Sequence, residues 1–344
     1  FALSSLFASC SNELDEALQP ANNGTLQFVV SDFPMFGEGI QTRVIGTEDP
    51  GKTAWENGDQ IIVTLISQKY GEQAVALTYN GSSWSTEASL SYLENETPSV
   101  SVFYAPCYEV TEEGTMQLRS GMQLGMTEYL SGNYEIENGI MTITFEGAIR
   151  TYSRLRIAGL ANQTLTVTTT DFTPAGATEV ATAAYTLNTD NNGNAFLYGV
   201  FAEDATVSVK QGDITLRDYT FSADKNPNGT EHNKSYALDA RPVIDGTLGG
   251  KATAEESDIT ALVEQLKAYV DKGITTIIVP GTEYAMYKSN LGTIPAFAEA
   301  LYLLTDLNED SPYCGTIDLI LPDATEIIDF SFDSADALKS ITLP

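Results

Sequence analysis

The stretch NYEIENGIMTITF, Asn133–Phe145, decides the fold class. Its two halves, NYEIE and IMTITF, alternate apolar and polar residues with a period of two, the pattern of a strand with one buried face. Between them sits Asn138-Gly139, a dipeptide favoured in two-residue type I′ hairpins. The segment therefore predicts an antiparallel hairpin.

The same texture extends in both directions. TLQFVV, DQIIVTLI, AVALTY, SVSVFY, TLTVTT, NAFLYGVF and ATVSVK are short β-prone segments bounded by turn residues, and Asn80-Gly81 between ALTY and SSWS marks a second hairpin. No strong helical pattern interrupts them from Thr25 to Tyr236. A stretch this long, made of short strands, predicts two antiparallel β-sandwiches in tandem, 25–158 and 159–243, with the boundary near Gly159 to Thr164.

Beyond Arg241 the composition changes. A Gly-rich linker, 244–254, leads into DITALVEQLKAYVDKG, where Ile259, Leu262, Val263, Leu266, Tyr269 and Val270 recur at helical spacing and Gly273 stands at the C′ position. ITTIIVP, PAFAEALYLLTDL and TIDLILP follow as strand, helix and strand. This order marks 255–344 as a separate α/β module, so the expected fold class is mainly β with a small C-terminal α/β unit.

The chain has 344 residues, and its 17 Lys and Arg against 47 Asp and Glu give a net charge of -30. A charge of that size repels nucleic acid and anionic lipid alike, which sets nucleic-acid partners aside. Hydrophobic residues make up 42% of the sequence, enough to build cores. The cysteines Cys10, Cys107 and Cys314 are far apart, and no disulfide is expected; Cys107 reads as a small buried residue at a strand end.

His232, the sole histidine, lies in the polar stretch NPNGTEHNKS and reads as a solvated loop residue. Three separated cysteines make no CxxC zinc pair. GTLGGKAT is one residue short of phosphate-loop spacing, and in Asp190-Asn191-Asn192-Gly193-Asn194 the glycine comes too early for an EF-hand, leaving a linker and a hairpin turn. No catalytic, cofactor-binding or metal-binding residue is assigned, and the expectation is a protein that is not an enzyme. A carboxylate pair for glycoside hydrolysis stays open as a third and weakest reading, because sequence spacing does not report carboxylate separation.

The chain begins FALSSLFASCSNELDE. An apolar run that ends in small residues before a Cys is how a lipoprotein signal peptide ends, which makes Cys10 the expected lipidation site and residues 1–24 a signal remnant and tether. With neither an initiator Met nor a basic region ahead of Phe1, the front of that signal is expected to be missing. The acidic stretch after Cys10 resembles the export signal of surface lipoproteins in some Gram-negative anaerobes.

In TAWENGDQIIV, Trp55, Gly58 and Asp59 stand at Trp-x-x-Gly-Asp spacing before an apolar strand. Gly58-Asp59 reads as a turn that launches the strand, and Trp55 as a plug for one end of the sandwich. This segment resembles the signature of the fimbrillin family of lipoprotein pilins. GAIRTYSRLRIAGL and EHNKSYALDA resemble that family's strand between domains and its closing strand. The resemblance covers about residues 10–241 and implies a pair of transthyretin-like sandwiches, a lipidated Cys10 and outer-membrane, cell-surface or fimbrial location. For true pilins it also implies assembly by strand donation, after an Arg-specific protease cuts behind the first strand. Arg43, in IQTRVIG, lies where that cut would fall, and an ordinary surface arginine is the other reading of it.

At the other end, DLILPDATEIIDFSFDSADALKSITLP resembles the BspA-like leucine-rich repeat, with Ile327, Phe332, Leu338, Ile341, Leu343 and Pro344 in register, Ala335 in the usual Cys position and Ser331 in the usual Ala position. Pro322 and Pro344 are 22 positions apart, within the range of such repeats, and Ile278-Val279-Pro280 reads as an earlier turn. A repeat cannot bury its apolar face alone, so the protein is expected to continue past Pro344.

Together these readings predict a lipid-anchored, fimbrillin-like pilus tip or accessory subunit, or an adhesin. Its partners would be the outer membrane, other pilin subunits and a host or bacterial surface protein or glycan. The alternative is a carbohydrate-binding surface lipoprotein that does not polymerise.

Overall fold

The computed structural model describes residues 27–34, 36, 51–93, 96–137, 139–145, 150–224, 226–242, 256–279, 284–285, 296–305, 308, 310–321, 326–327 and 336–342. Cys10, Arg43 and the linker 244–254 lie outside the described residues, as do Phe332, Ala335 and all three prolines of the repeat reading. The chain is mainly β, 47% strand against 8% helix, with sheets that curl into barrel-like or sandwich-like shapes.

The first sheet holds seven strands in the order β1 (Gln27–Val30), β9 (Ile140–Thr144), β8 (Leu130–Glu137), β5 (Ser99–Tyr104), β2 (Gln60–Ser67), β3 (Gly71–Tyr79) and β4 (Trp84–Ser85). Its two end strands, β1 and β4, lie against each other, so the sheet closes around one core of Ile61, Val63, Leu65, Val75, Leu77, Val102, Leu130, Met141, Ile143 and Phe145. A separate hairpin, β6 (Tyr108–Val110) and β7 (Met116–Leu118), stands off this sheet. The expected hairpin at Asn138-Gly139 forms β8 and β9, with Glu137 opposite Ile140 across a two-residue loop.

The hairpin at Asn80-Gly81 also forms, but its loop has four residues: Tyr79 pairs with Trp84. The reason is local. The Asn80 carboxamide accepts the amides of Ser82 (3.0 Å) and Ser83 (2.9 Å), an Asx turn that competes with the tighter type I′ geometry.

The second sheet contains β10 (Ser153–Ala158), β11 (Thr164–Pro174), β12 (Ala181–Asn188), β13 (Asn194–Phe201), β14 (Thr206–Gln211), β15 (Ile214–Thr220) and β16 (Ser235–Asp239). Strand β11 is the corner of this unit. Up to Thr169 it lies between β12 and β14, and from Phe172 onward it pairs with β13. The change of partner coincides with a bulge and with Asp171 at φ 50°, a bend that lets one strand serve two layers. Phe172 stacks on Phe201 at 4.3 Å inside the fold, and Phe201 on Phe221 at 4.7 Å.

Two findings depart from the expected antiparallel tandem. In each sheet the first strand runs parallel to the last, β1 with β9 and β10 with β16. These pairs are joined by long excursions of chain rather than hairpins, and only hairpins require antiparallel neighbours. Second, β10 hydrogen-bonds to β13 and β16, so the strand read as the end of the 25–158 unit works in the second sheet.

The C-terminal module carries helix α1 (Glu256–Asp271), helix α2 (Ala296–Leu304) and a three-stranded parallel sheet, β17 (Thr276–Ile278), β19 (Ile317–Ile320) and β21 (Leu338–Thr342), beside a two-stranded parallel pair, β18 (Tyr284–Ala285) and β20 (Glu326–Ile327). Ile259, Leu262, Val263, Leu266 and Tyr269, the predicted face of α1, are buried in this module's core. Gly273, at φ 77°, ends the helix as expected: its amide reaches the Val270 carbonyl (2.9 Å) and that of Ile274 the Tyr269 carbonyl (2.9 Å), a Schellman motif. The register places Ile278, Ile320 and Thr342 side by side, each two positions ahead of a proline in the sequence.

Candidate functional site

Where the two β units meet, alternation along β10 and β13 decides what each side chain sees. On β10, Leu155 and Ile157 enter the second core, and Arg154 and Arg156 take the opposite face. That face would be solvated in a lone sheet, yet every residue of β10 is buried, because the first unit covers it. On β13, Ala195, Leu197 and Phe201 belong to the second core, while Tyr198 and Val200 pack against the first. Met126, from the loop before β8, packs in return against the second core, and the Tyr198 amide reaches the Gly125 carbonyl at 2.8 Å.

At the centre of this junction lies a buried ion pair. Arg150 Nε donates to Glu128 Oε2 at 2.7 Å, with side chains 1% and 7% exposed. Tyr152 donates its hydroxyl to the same oxygen at 3.1 Å and accepts the Tyr129 amide at 3.3 Å. Burial, then the adjacent Glu128 charge, pushes the Tyr152 phenol well above its ordinary range, so it stays a donor. Phe36 covers the Arg150 guanidinium at 3.9 Å, and Arg154 lies 5.2 Å from the same ring. The Glu128 carboxylate is thus held by two donors.

Beside the ion pair opens a cleft of about 480 Å³. One wall comes from the first unit, with Tyr104, Pro106, Met122 and Glu128, and the other from the second, with Asp190, Asn194, Phe196 and Tyr198. Asn194 is 2% exposed, its Oδ1 accepts from Arg156 Nη1 at 2.9 Å, and its Nδ2 has no acceptor among the described residues. Burial, then the charges of Asp59 and Glu128, raises the Tyr104 phenol far above its usual value.

Trp55, Gly58 and Asp59 come together as their spacing suggested. Trp55 sits edge-on to Phe33, Trp84, Tyr104 and Phe145 at 4.9 to 5.6 Å and donates Nε1 to the Ser31 carbonyl at 2.7 Å. Gly58, at φ 95°, bonds the Tyr79 carbonyl, and the Asp59 carboxylate receives Lys52 Nζ at 2.8 Å. Cys107 is buried and its thiol is pushed up by that burial, as a structural cysteine should be. His232 is exposed. The Asp190–Asn194 stretch is a tight turn, but it joins β12 and β13, which do not pair with each other.

Among the described residues no cluster of His, Cys, Asp and Glu could hold a metal ion, and no helix is long and apolar enough to cross a membrane. Of the residues that build the cleft and the ion pair, the sequence pattern marks Asp190 and Asn194, and those only as members of a turn. The one available signal was arginine alternating with apolar residues in RTYSRLRIA, a polar face too basic for a chain this acidic. No protein-family model and no curated protein matches the chain.

Proposed function

We propose that this protein is a cell-surface structural or adhesive subunit, fimbrillin-like in design, lipidated at Cys10 and used at the tip or as an accessory of a filament. The two β units correspond in this reading to tandem transthyretin-like sandwiches, and the stacked strands β17, β19 and β21 to leucine-rich repeats that present a surface to a protein or glycan partner.

The observation that carries the reading is the state of β1. Among the described residues it is four residues long, it is bonded in the ladder only to β9, and it sits at the end of the sheet order. Yet Phe28, Val30, Phe33 and Phe36, on it and just behind it, pack against the first core. An edge strand with so few ladder bonds and so much apolar surface is suited to exchange for an equivalent strand from another subunit. Arg43 follows in the sequence. The accessory role rests on β16, the last strand of the second sheet: within three residues of its end, Pro242 already bonds Ile278 of the module, which encumbers that end for donation.

Limited digestion of the full chain with an Arg-specific protease, followed by N-terminal sequencing, tests this. A new terminus at Val44 is expected; Arg150, Arg154 and Arg156 are buried and should be spared. Cleavage at exposed Arg217 with Arg43 intact would overturn strand removal. Immunogold label along a whole shaft would overturn the accessory role. A Cys10→Ala variant expressed with its full signal should lose labelling by a palmitate analogue.

A second reading, a carbohydrate-binding surface lipoprotein that does not polymerise, is favoured by the cleft between the two units, with its aromatic lining. Label absent from filaments, with protein retained at the surface, would select it.

A further inference from the structure

We propose that the cleft between the two β units is a binding site for a neutral saccharide of one or two rings. The inference rests on reading the chain as a surface binding protein, but it requires neither strand exchange nor a filament.

The volume, about 480 Å³, falls within the range of small-molecule sites, ~300 to 1,000 Å³, and such sites favour the seam between two units. The lining is of two kinds. Tyr104, Phe196, Tyr198 and Met122 offer apolar and aromatic surface, whose electron-rich faces attract the polarised C–H groups of a sugar ring. Asp190, exposed at the rim, uses Oδ1 to accept the amides of Asn192 and Asn194, which fixes the carboxylate in place as an acceptor for hydroxyl protons. Asn194 brings the opposite need. Arg156 holds its Oδ1, so the amide cannot turn over, and Nδ2 remains a buried donor with no acceptor among the described residues. A hydroxyl both donates and accepts, and a group that serves a carboxylate and an amide N–H at neighbouring points is what a sugar supplies.

Charge selects against the other ligands that aromatic rings attract. Lys52 at the cleft is held by Asp59 at 2.8 Å and Glu56 at 3.2 Å, and Glu128 by Arg150, so neither asks for an ionic partner. A cation would find the Arg154 guanidinium already 5.4 Å from the Phe196 ring. An anion would meet Asp190 and a chain of net charge -30.

The test is saturation-transfer NMR and calorimetry on the full chain with lactose, maltose, cellobiose and diacetylchitobiose, and with sialyllactose and putrescine as charged probes. At least one neutral disaccharide should bind, and its affinity should fall at least tenfold in Phe196→Ala and in Thr186→Arg. Thr186 is exposed on β12 and lines the cleft, so an unchanged unfolding midpoint for that variant separates blockage from misfolding. The proposal is overturned if no neutral sugar shows transfer, if sialyllactose or putrescine binds tightest, or if Thr186→Arg leaves binding intact. Cleavage at Arg43 is read on a different segment, so failure of the saccharide site and failure of the strand-exchange reading are told apart.

Discussion

Arg150 and Glu128, with side chains 1% and 7% exposed, meet through a single 2.7 Å hydrogen bond at the seam of two β units. Only Nε of the guanidinium is used for Glu128, and Nη2 has no hydrogen-bond partner among the described residues. A buried pair of this kind adds little net stability over an apolar pair of similar shape, but losing one member strands the other charge. Glu128→Ala should therefore lower stability by about 3 to 5 kcal/mol, and adding Arg150→Met should restore most of the loss. Urea unfolding of the double-mutant cycle checks this; additive losses would mean that the two side chains act independently.

The module is expected to be held by apolar contact rather than by charge. Leu216 on β15 packs against both the second core and the module core, and Ile214 joins it on the module side. The adjacent Lys272–Asp213 pair, at 3.0 Å, leaves Asp213 87% exposed. Lys272→Ala should change stability by less than ~1 kcal/mol. Leu216→Asp places a charge between two cores and should separate one calorimetric transition into two. A larger effect from Lys272→Ala than from Leu216→Asp would reverse the assignment.

How much of this was legible depended on the range over which each feature is encoded. The buried face of α1 and its stop at Gly273 follow from spacing within one segment, and the structure has both. Trp55, Gly58 and Asp59 likewise lie within five residues, and their turn forms as read. The parallel partners of β1 and β10 depend instead on residues about 80 to 115 positions away, and no local pattern specifies them. Arg154 and Arg156 look like a solvated face until a second unit covers it. The cleft shares that origin: Tyr104 and Phe196 become neighbours of one cavity only after both sheets have closed.

Acid should loosen the stack of β19 on β21. Asp318 accepts Ser340 Oγ at 2.6 Å through one oxygen and Lys339 Nζ at 3.0 Å through the other, and these bonds, Ser340 first, hold its carboxyl below the ordinary value. A depressed folded-state pKa gives stability that is whole above the unfolded-state value of about 3.9 and lost as pH falls through the folded-state value. The side chain is partly exposed to solvent, which screens the interaction, so the effect is small and local. Carboxyl NMR titration should show Asp318 protonating at lower pH than exposed aspartates, and Ser340→Ala should move it back up. A normal titration in the wild type would remove the cross-strand bond from the account.

The last expectation concerns how β1 is kept in place. Trp55 Nε1 bonds the Ser31 carbonyl immediately after the strand, while the Ser31 amide bonds Ile143 and Ser31 Oγ receives the Phe145 amide at 3.0 Å. Four residues of parallel ladder are therefore backed by one knot at Ser31, and the indole is the part of it supplied from across the sheet order. Trp55→Phe keeps an aromatic ring among Phe33, Trp84 and Tyr104 but leaves the Ser31 carbonyl without its donor, at a cost of about 1 kcal/mol. If β1 opens separately from the rest of the sheet, that cost falls on its opening alone and raises it roughly fivefold. Hydrogen exchange should then quicken for the amides of Gln27 and Ser31 and stay unchanged for Ile62 on β2 and Val75 on β3, strands that do not pair with β1. Trp55→Ala, which also removes the ring, should cost about 3 to 5 kcal/mol and speed exchange throughout the first unit. Uniform acceleration in Trp55→Phe would show that β1 and the core open as one body, and an edge strand that opens only with its core could not be traded for another.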